Sequence, residues 1–130
     1  MVESFVRELS THLPAERIIT DEIRRFAFST DASFYRLLPK VVVQADSEDE
    51  VITVIQLAAK HKLPVTFRAA GTSLSGQAVT DSVLVMLTDT WQGLKIDPLG
   101  EVVHLQPGVI GAKANRALQA YGRKIGPDPA

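Results

Sequence analysis

No cysteine occurs in these 130 residues, which excludes disulfides, thiolate metal sites, iron–sulfur ligation and cysteine nucleophiles from the stretch. An excess of one charge is lacking too: 14 Lys and Arg stand against 15 Asp and Glu, for a formal net charge of -1. Without a basic excess there is no electrostatic footprint for nucleic acid or for an anionic membrane. Only three histidines are present, His12, His61 and His104, and no pair has metal-ligand spacing, so no metal site is expected. No apolar run approaches the length of a membrane span, and MVESFVRELS lacks a basic n-region followed by an apolar stretch. Neither an integral membrane segment nor a signal peptide is expected. The expected location is cytoplasmic, either free or peripheral to the inner face of the membrane. Internal repeats and low-complexity tracts are also missing.

What is present is a chain 45% hydrophobic and 22% charged, the composition of one globular domain or part of a larger one. Phe5, Val6, Leu9 and Leu13 recur at helical spacing before Pro14, and Ile23, Phe26 and Ala27 do so after Asp21, a capping residue. The apolar run VVVQA, residues 41–45, predicts a strand. It feeds a helix in which Ser47 and Glu50 stand at capping-box spacing and Val51, Ile55 and Ala58 share one face. The acidic run DSEDE is explained by that helix start, where carboxylates favour the N-terminal dipole. LPVTFR reads as a second strand entered through Pro64, so residues 41–68 predict a right-handed βαβ unit. VLVML predicts a further strand, and LKIDPLGEVVHL a hairpin with Asp97, Pro98 and Gly100 in a type I turn. Last comes a helix with Ala114, Leu118 and Tyr121 on one face and Gly122 as its C-cap. Trp91 and Tyr121 are read as packing residues rather than ring-stacking ones. KIGPDPA, at the end, is a Pro-rich turn of the kind that connects to more chain, so a fragment of a longer protein is expected.

The segment FRAAGTSLSGQAV, residues 67–79, sits at the carboxyl end of a predicted parallel strand, the edge where ligands collect in α/β sheets. Gly71 and Gly76 match half of a Walker A loop, but Gln77 and Ala78 replace its Lys and Ser/Thr. A dinucleotide fingerprint fails because G-x-G-x-x-G is absent and a strand follows the loop. A nucleophile elbow fails because Ser75 stands where G-x-S-x-G needs its second Gly. What remains is a nest of backbone N–H groups, helped by the Thr72, Ser73 and Ser75 hydroxyls, that suits a phosphate or pyrophosphate. Arg68 is read either as one added charge or as a solvated strand end, and the whole loop either as a ligand cradle or as a plain connection between strands. Asp31 and Tyr35 are read as bracing the helix-to-strand crossing.

RAAGTSLSGQAV, with STDASFYRLLPKVVV before it and LQPGV and GPDPA after it, resembles the flavin-binding half of FAD-linked oxidases. The family is that of the vanillyl-alcohol-oxidase, or PCMH-type, fold, in the branch of the D-lactate and glycolate dehydrogenase subunits. The resemblance covers nearly everything from Phe26 onward. It implies an α+β PCMH-type FAD-binding domain: an N-terminal βαββ subdomain plus the start of a second α/β subdomain. The expected boundaries are an N-terminal helical segment at 1–38 and the FAD-binding domain at 39–130.

The cofactor it implies is FAD, lined by Arg68, Ala69, Ala70, Gly71, Thr72, Ser73, Leu74 and Gln77, with Pro107 and Gly108, and Pro127, Asp128 and Pro129, as two further bordering segments. Asp31, Tyr35 and Arg36 are family markers. Ala69 and Ala70 stand where many relatives have glycine, and Ala45 where many have proline; Ala adopts φ > 0 less cheaply than Gly. The family continues past the PDPA turn into a Gly-rich segment and a substrate domain, so the resemblance places no catalytic residue and no metal in these residues. It implies oxidation of a small 2-hydroxy acid by hydride transfer to the flavin, with the substrate held by that later region and electrons passed to an acceptor it does not identify. A non-enzymatic nucleotide- or phosphate-binding module and a purely structural interaction domain are the alternatives.

Overall fold

Residues 1–127 are described by a computed structural model of the chain. They form two compact units, Met1–Thr88 and the segment from Asp89 onward. The first opens with helix α1 (Val2–Leu9), whose Phe5 and Leu9 are fully buried; Leu13 lies in the turns beyond the helix end yet is also buried. A 3-10 turn at Ala15–Arg17 leads into strand β1 (Ile18–Ile19), which sequence periodicity does not predict. Helix α2 (Glu22–Ala27) is capped by Asp21, which accepts from the Arg24 amide at 3.0 Å. Strand β2 (Val41–Ala45), helix α3 (Glu48–Lys60), strand β3 (Val65–Arg68) and strand β4 (Val83–Leu87) follow.

The main sheet has the order β1-β2-β4-β3, with β1 antiparallel to β2 and the other pairs parallel. The expected βαβ unit is therefore split: β2 and β3 run parallel, but β4 lies between them. A strand buried on both faces must be apolar throughout, and Val83, Leu84 and Val85 are each fully buried. Side-chain alternation sends Val41, Val43, Val83 and Val85 into one cluster with Phe5, Leu9, Val54 and Leu57, and Val42 and Leu84 into a smaller one with Ile19 and Phe28.

On α3 the buried face is Val54, Leu57 and Ala58, with Val51 packed beside it; Ile55 is 45% exposed. The expected face is thus rotated, because Val51 begins both an i+3 and an i+4 series and only packing decides between them. Half of the capping box forms: the Glu50 amide donates to the N-cap Ser47 Oγ, but the Glu50 carboxylate reaches past Ser47 to accept from the Asp46 amide at 2.7 Å and from Arg17.

In the second unit, strands β5 (Leu94–Ile96) and β6 (Val103–Leu105) pair antiparallel, and helix α4 (Gly111–Leu118) buries Ala114 and Leu118. The hairpin turn closes from the Gly100 amide to the Asp97 carbonyl at 3.0 Å. Asp97 also accepts from the Glu101 and Val102 amides. Those backbone donors, Val102 first, hold its carboxyl below the ordinary range. Gly122 ends the helical run in the left-handed conformation, as a C-cap. Among the described residues no helix is long and apolar enough to cross a membrane.

Candidate functional site

Neighbouring parallel strands need a crossover of a dozen residues or more, usually a helix. Between β3 and β4 that crossover is residues 69–82, and it contains no helix. Its second half is anchored, with Ala78, Val79, Thr80 and Ser82 all buried. Its first half, the predicted loop, lies at the surface: Ala69, Ala70, Thr72, Leu74 and Gln77 are exposed and Gly71 and Ser73 half-buried.

The exposed half keeps its shape through its own bonds. Ser73 Oγ donates to Gln77 Oε1 at 2.8 Å and accepts from the Ser75 and Gln77 amides at 3.2 and 3.1 Å. The Ser73 and Gln77 side chains are thus turned into the loop. Gly71 and Gly76 sit at φ +71 and +77, a region that costs an L side chain about 1–2 kcal/mol. A Cβ on Gly71 would lie 2.6 Å from Arg68 Cζ, and one on Gly76 2.8 Å from the Tyr35 ring. Among the described residues the amides of Gly71, Thr72, Ser73 and Leu74 donate to no protein acceptor. Four successive N–H groups without a protein acceptor, with the Arg68 guanidinium beside the first of them, form a surface suited to an anion.

The Arg68 guanidinium lies against Gly71 and at the same time holds the preceding segment through one nitrogen. Its Nη1 donates to the carbonyl of Thr30 at 2.7 Å and reaches that of Phe28 at 3.5 Å, with the guanidinium 5.9 Å from the Phe28 ring centroid. The segment it grips is folded back on itself by a Thr30–Arg36 bridge and by the Leu37 amide donating to Ser29. Asp31 lies on this segment and accepts from the Ser33 amide at 2.8 Å and from the Ala78 amide at 3.3 Å. Its bonds to Ser33, then to Ala78, with Arg68 nearby, hold the Asp31 carboxyl below its ordinary value. A cleft of about 250 Å³ lies between the two segments, lined by Tyr35, Arg36, Leu37, Ser75, Gly76 and Val79.

Sequence reading leaves Asp31, Tyr35 and Arg36 as markers or a brace; the structure sets the first two against the glycine loop. The one local signal was Asp31 two residues before Ser33, an Asx-turn spacing.

In the second unit the Gly108 amide donates to the Trp91 carbonyl at 2.9 Å, and Gln92 Nε2 donates to the Gly108 carbonyl at 2.8 Å. A Cβ on Gly108 would lie 2.5 Å from the Trp91 carbonyl oxygen, so only glycine permits this approach. Pro127 is exposed, after the last helical turn. Asp128 and Pro129 lie outside the described residues. No group of three His, Asp or Glu that could hold a metal occurs among the described residues.

A family model described as "FAD binding domain" matches residues 39–130. The chain belongs to this FAD-binding family, and FAD is its cofactor. It is 29% identical over 129 residues to the glycolate oxidase subunit GlcD of Escherichia coli strain K12, covering 97% of this chain and 26% of that protein. It is 33% identical over 132 residues to a D-lactate dehydrogenase of Anaerostipes hadrus, covering 99% of this chain and 27% of that one. The chain thus spans about a quarter of the length of these relatives.

The fold is shared with alkyldihydroxyacetonephosphate synthase, at a TM-score of 0.75 and 21% identity, over 98% of this chain and 28% of that one. It is shared also with p-cresol methylhydroxylase, at 0.70 and 15%, over 93% and 25%. The α+β, PCMH-type expectation holds.

Proposed function

We propose that this chain is the FAD-binding part of a flavoprotein that oxidises a 2-hydroxy acid, of D configuration where the acid is chiral. The carrying observation is the run of free amides from Gly71 to Leu74 at the carboxyl edge of β3. A pyrophosphate has anionic oxygens that accept several N–H donors at once, and backbone donors approach it closely where glycine removes the Cβ. Gly71, Thr72, Ser73 and Leu74 bind it in this reading, while Gln77 fixes Ser73 and Arg68 fixes the strand end.

The substrate class is supported by the named activities of relatives: glycolate oxidase, D-lactate dehydrogenase and D-2-hydroxyglutarate dehydrogenase. Each acts on a hydroxyl next to a carboxylate. When bound, FAD supplies the acceptor for the hydride leaving the substrate α-carbon. The residues described here bind and orient; none is assigned to bond breaking.

The test is the visible spectrum of the longest native product containing these residues, before and after anaerobic addition of D-lactate, glycolate and D-2-hydroxyglutarate in turn. A flavin spectrum bleached by one of them is the expected result. A flavin that none of the three bleaches overturns the substrate class. No flavin, and none taken up when FAD is supplied, sinks the reading of the loop and favours a non-enzymatic module. Gly71→Val is expected to abolish FAD uptake.

A further inference from the structure

Resting on that reading, we propose that Asp31 is a positioning residue: it sets the shape of the 71–78 loop for FAD without touching the cofactor. The geometry is a clasp. Two consecutive residues of one segment hold the two ends of the exposed loop: the Ala32 amide donates to the Gly71 carbonyl at 3.1 Å, and Asp31 accepts from the Ala78 amide at 3.3 Å. The stretch between, which carries the free amides of Thr72, Ser73 and Leu74, is tied further by the bonds of Ser73 to Gln77. The segment is anchored in turn by Arg68, which donates to the Thr30 carbonyl from the end of β3. Strand end, clasp and loop therefore form one closed circuit of hydrogen bonds.

The chemistry requires a carboxylate at position 31. Two N–H donors from different parts of the chain, Ser33 and Ala78, arrive at its two oxygens. An amide of the same shape has one oxygen, so Asp31→Asn must lose one of the two bonds and turn a donor toward a donor. Direct contact is the wrong role for this group, because a carboxylate against a diphosphate repels it. Its effect on FAD therefore runs through the loop.

The experiment uses Asp31→Asn and Asp31→Glu in the longest native product, stripped of flavin. The first variant removes one acceptor; the second keeps the charge and displaces it by a methylene. Three quantities are read: hydrogen exchange at the Ala78 amide, the FAD dissociation constant, and the urea midpoint of the stripped protein. Asp31→Asn is expected to give up the longer of its two bonds, the 3.3 Å one to Ala78, and Asp31→Glu to displace it, so both variants lose Ala78 protection and weaken FAD about tenfold. Losing an intramolecular bond lowers the urea midpoint modestly in both variants, but far below the transition, where each is fully folded, FAD should still bind about tenfold more weakly than to the wild type.

FAD binding unchanged in both variants overturns the proposal while leaving the flavin reading intact. A loss of affinity that disappears where the variants are fully folded also overturns it, since that is a general structural effect. A wild type that takes up no FAD overturns the flavin reading, and the proposal with it.

Discussion

Gly76 and Tyr35 show how far a single position carries. The glycine combines a left-handed backbone with a ring lying where its Cβ would stand. Gly76→Ala therefore meets two separable penalties, and a double-mutant cycle divides them. In the Tyr35→Ala background the steric part disappears while the backbone part, about 1–2 kcal/mol, remains. Urea midpoints of the four proteins measure this; full recovery in the double variant would show that φ at position 76 relaxes freely. Glycines of this kind were legible in the sequence, because their spacing marks a loop that must bend sharply. Asp31 was not, because its partner Ala78 lies 47 residues away and offers only a backbone amide, which every residue but proline carries. The internal bond of the Ser73 hydroxyl was not legible either, because a hydroxyl in a glycine loop reads as a ligand group while its bond to Gln77 appears only in the fold.

Among the elements, helix α3 was the most readable, since caps are local and Ser47 and Glu50 lie within four residues of each other. What the sequence could not display is that Arg17 reaches Glu50 with two bonds of 2.7 Å. That guanidinium is the chief cause holding the Glu50 carboxyl below its ordinary value of 4.5, with the Asp46 amide as a further one. A carboxyl depressed on folding stabilises fully above its unfolded value and loses that contribution as pH falls through the folded one. Glu50→Gln is thus expected to cost roughly 1.5–3 kcal/mol at pH 7. The gap from wild type should narrow steadily below pH 4.5 in urea titrations. A gap independent of pH would assign the loss to packing instead. Strand β1 escaped notice because two residues carry no period; Ile18 and Ile19 are a strand only by pairing with Val43 and Val42.

Over the whole molecule, both hydrophobic clusters fall in the first unit, while the second buries Trp91, Ala114 and Leu118. Less apolar burial means a lower free energy of local opening. Amides of β5 and β6 are expected to exchange through lower-energy openings than those of β2 and β4; equal protection in both units would contradict this. The strand order has its own consequence in time. A ribosome delivers β2, then α3, then β3, and neither strand has its parallel neighbour until β4 has emerged. The 69–82 crossover is the last stretch of chain made before that central strand, so its slack is expected to set how soon β4 finds the gap. Shortening that crossover, or stiffening it at the positive-φ glycines 71 and 76, is then expected to change the order of assembly as well as any ligand affinity.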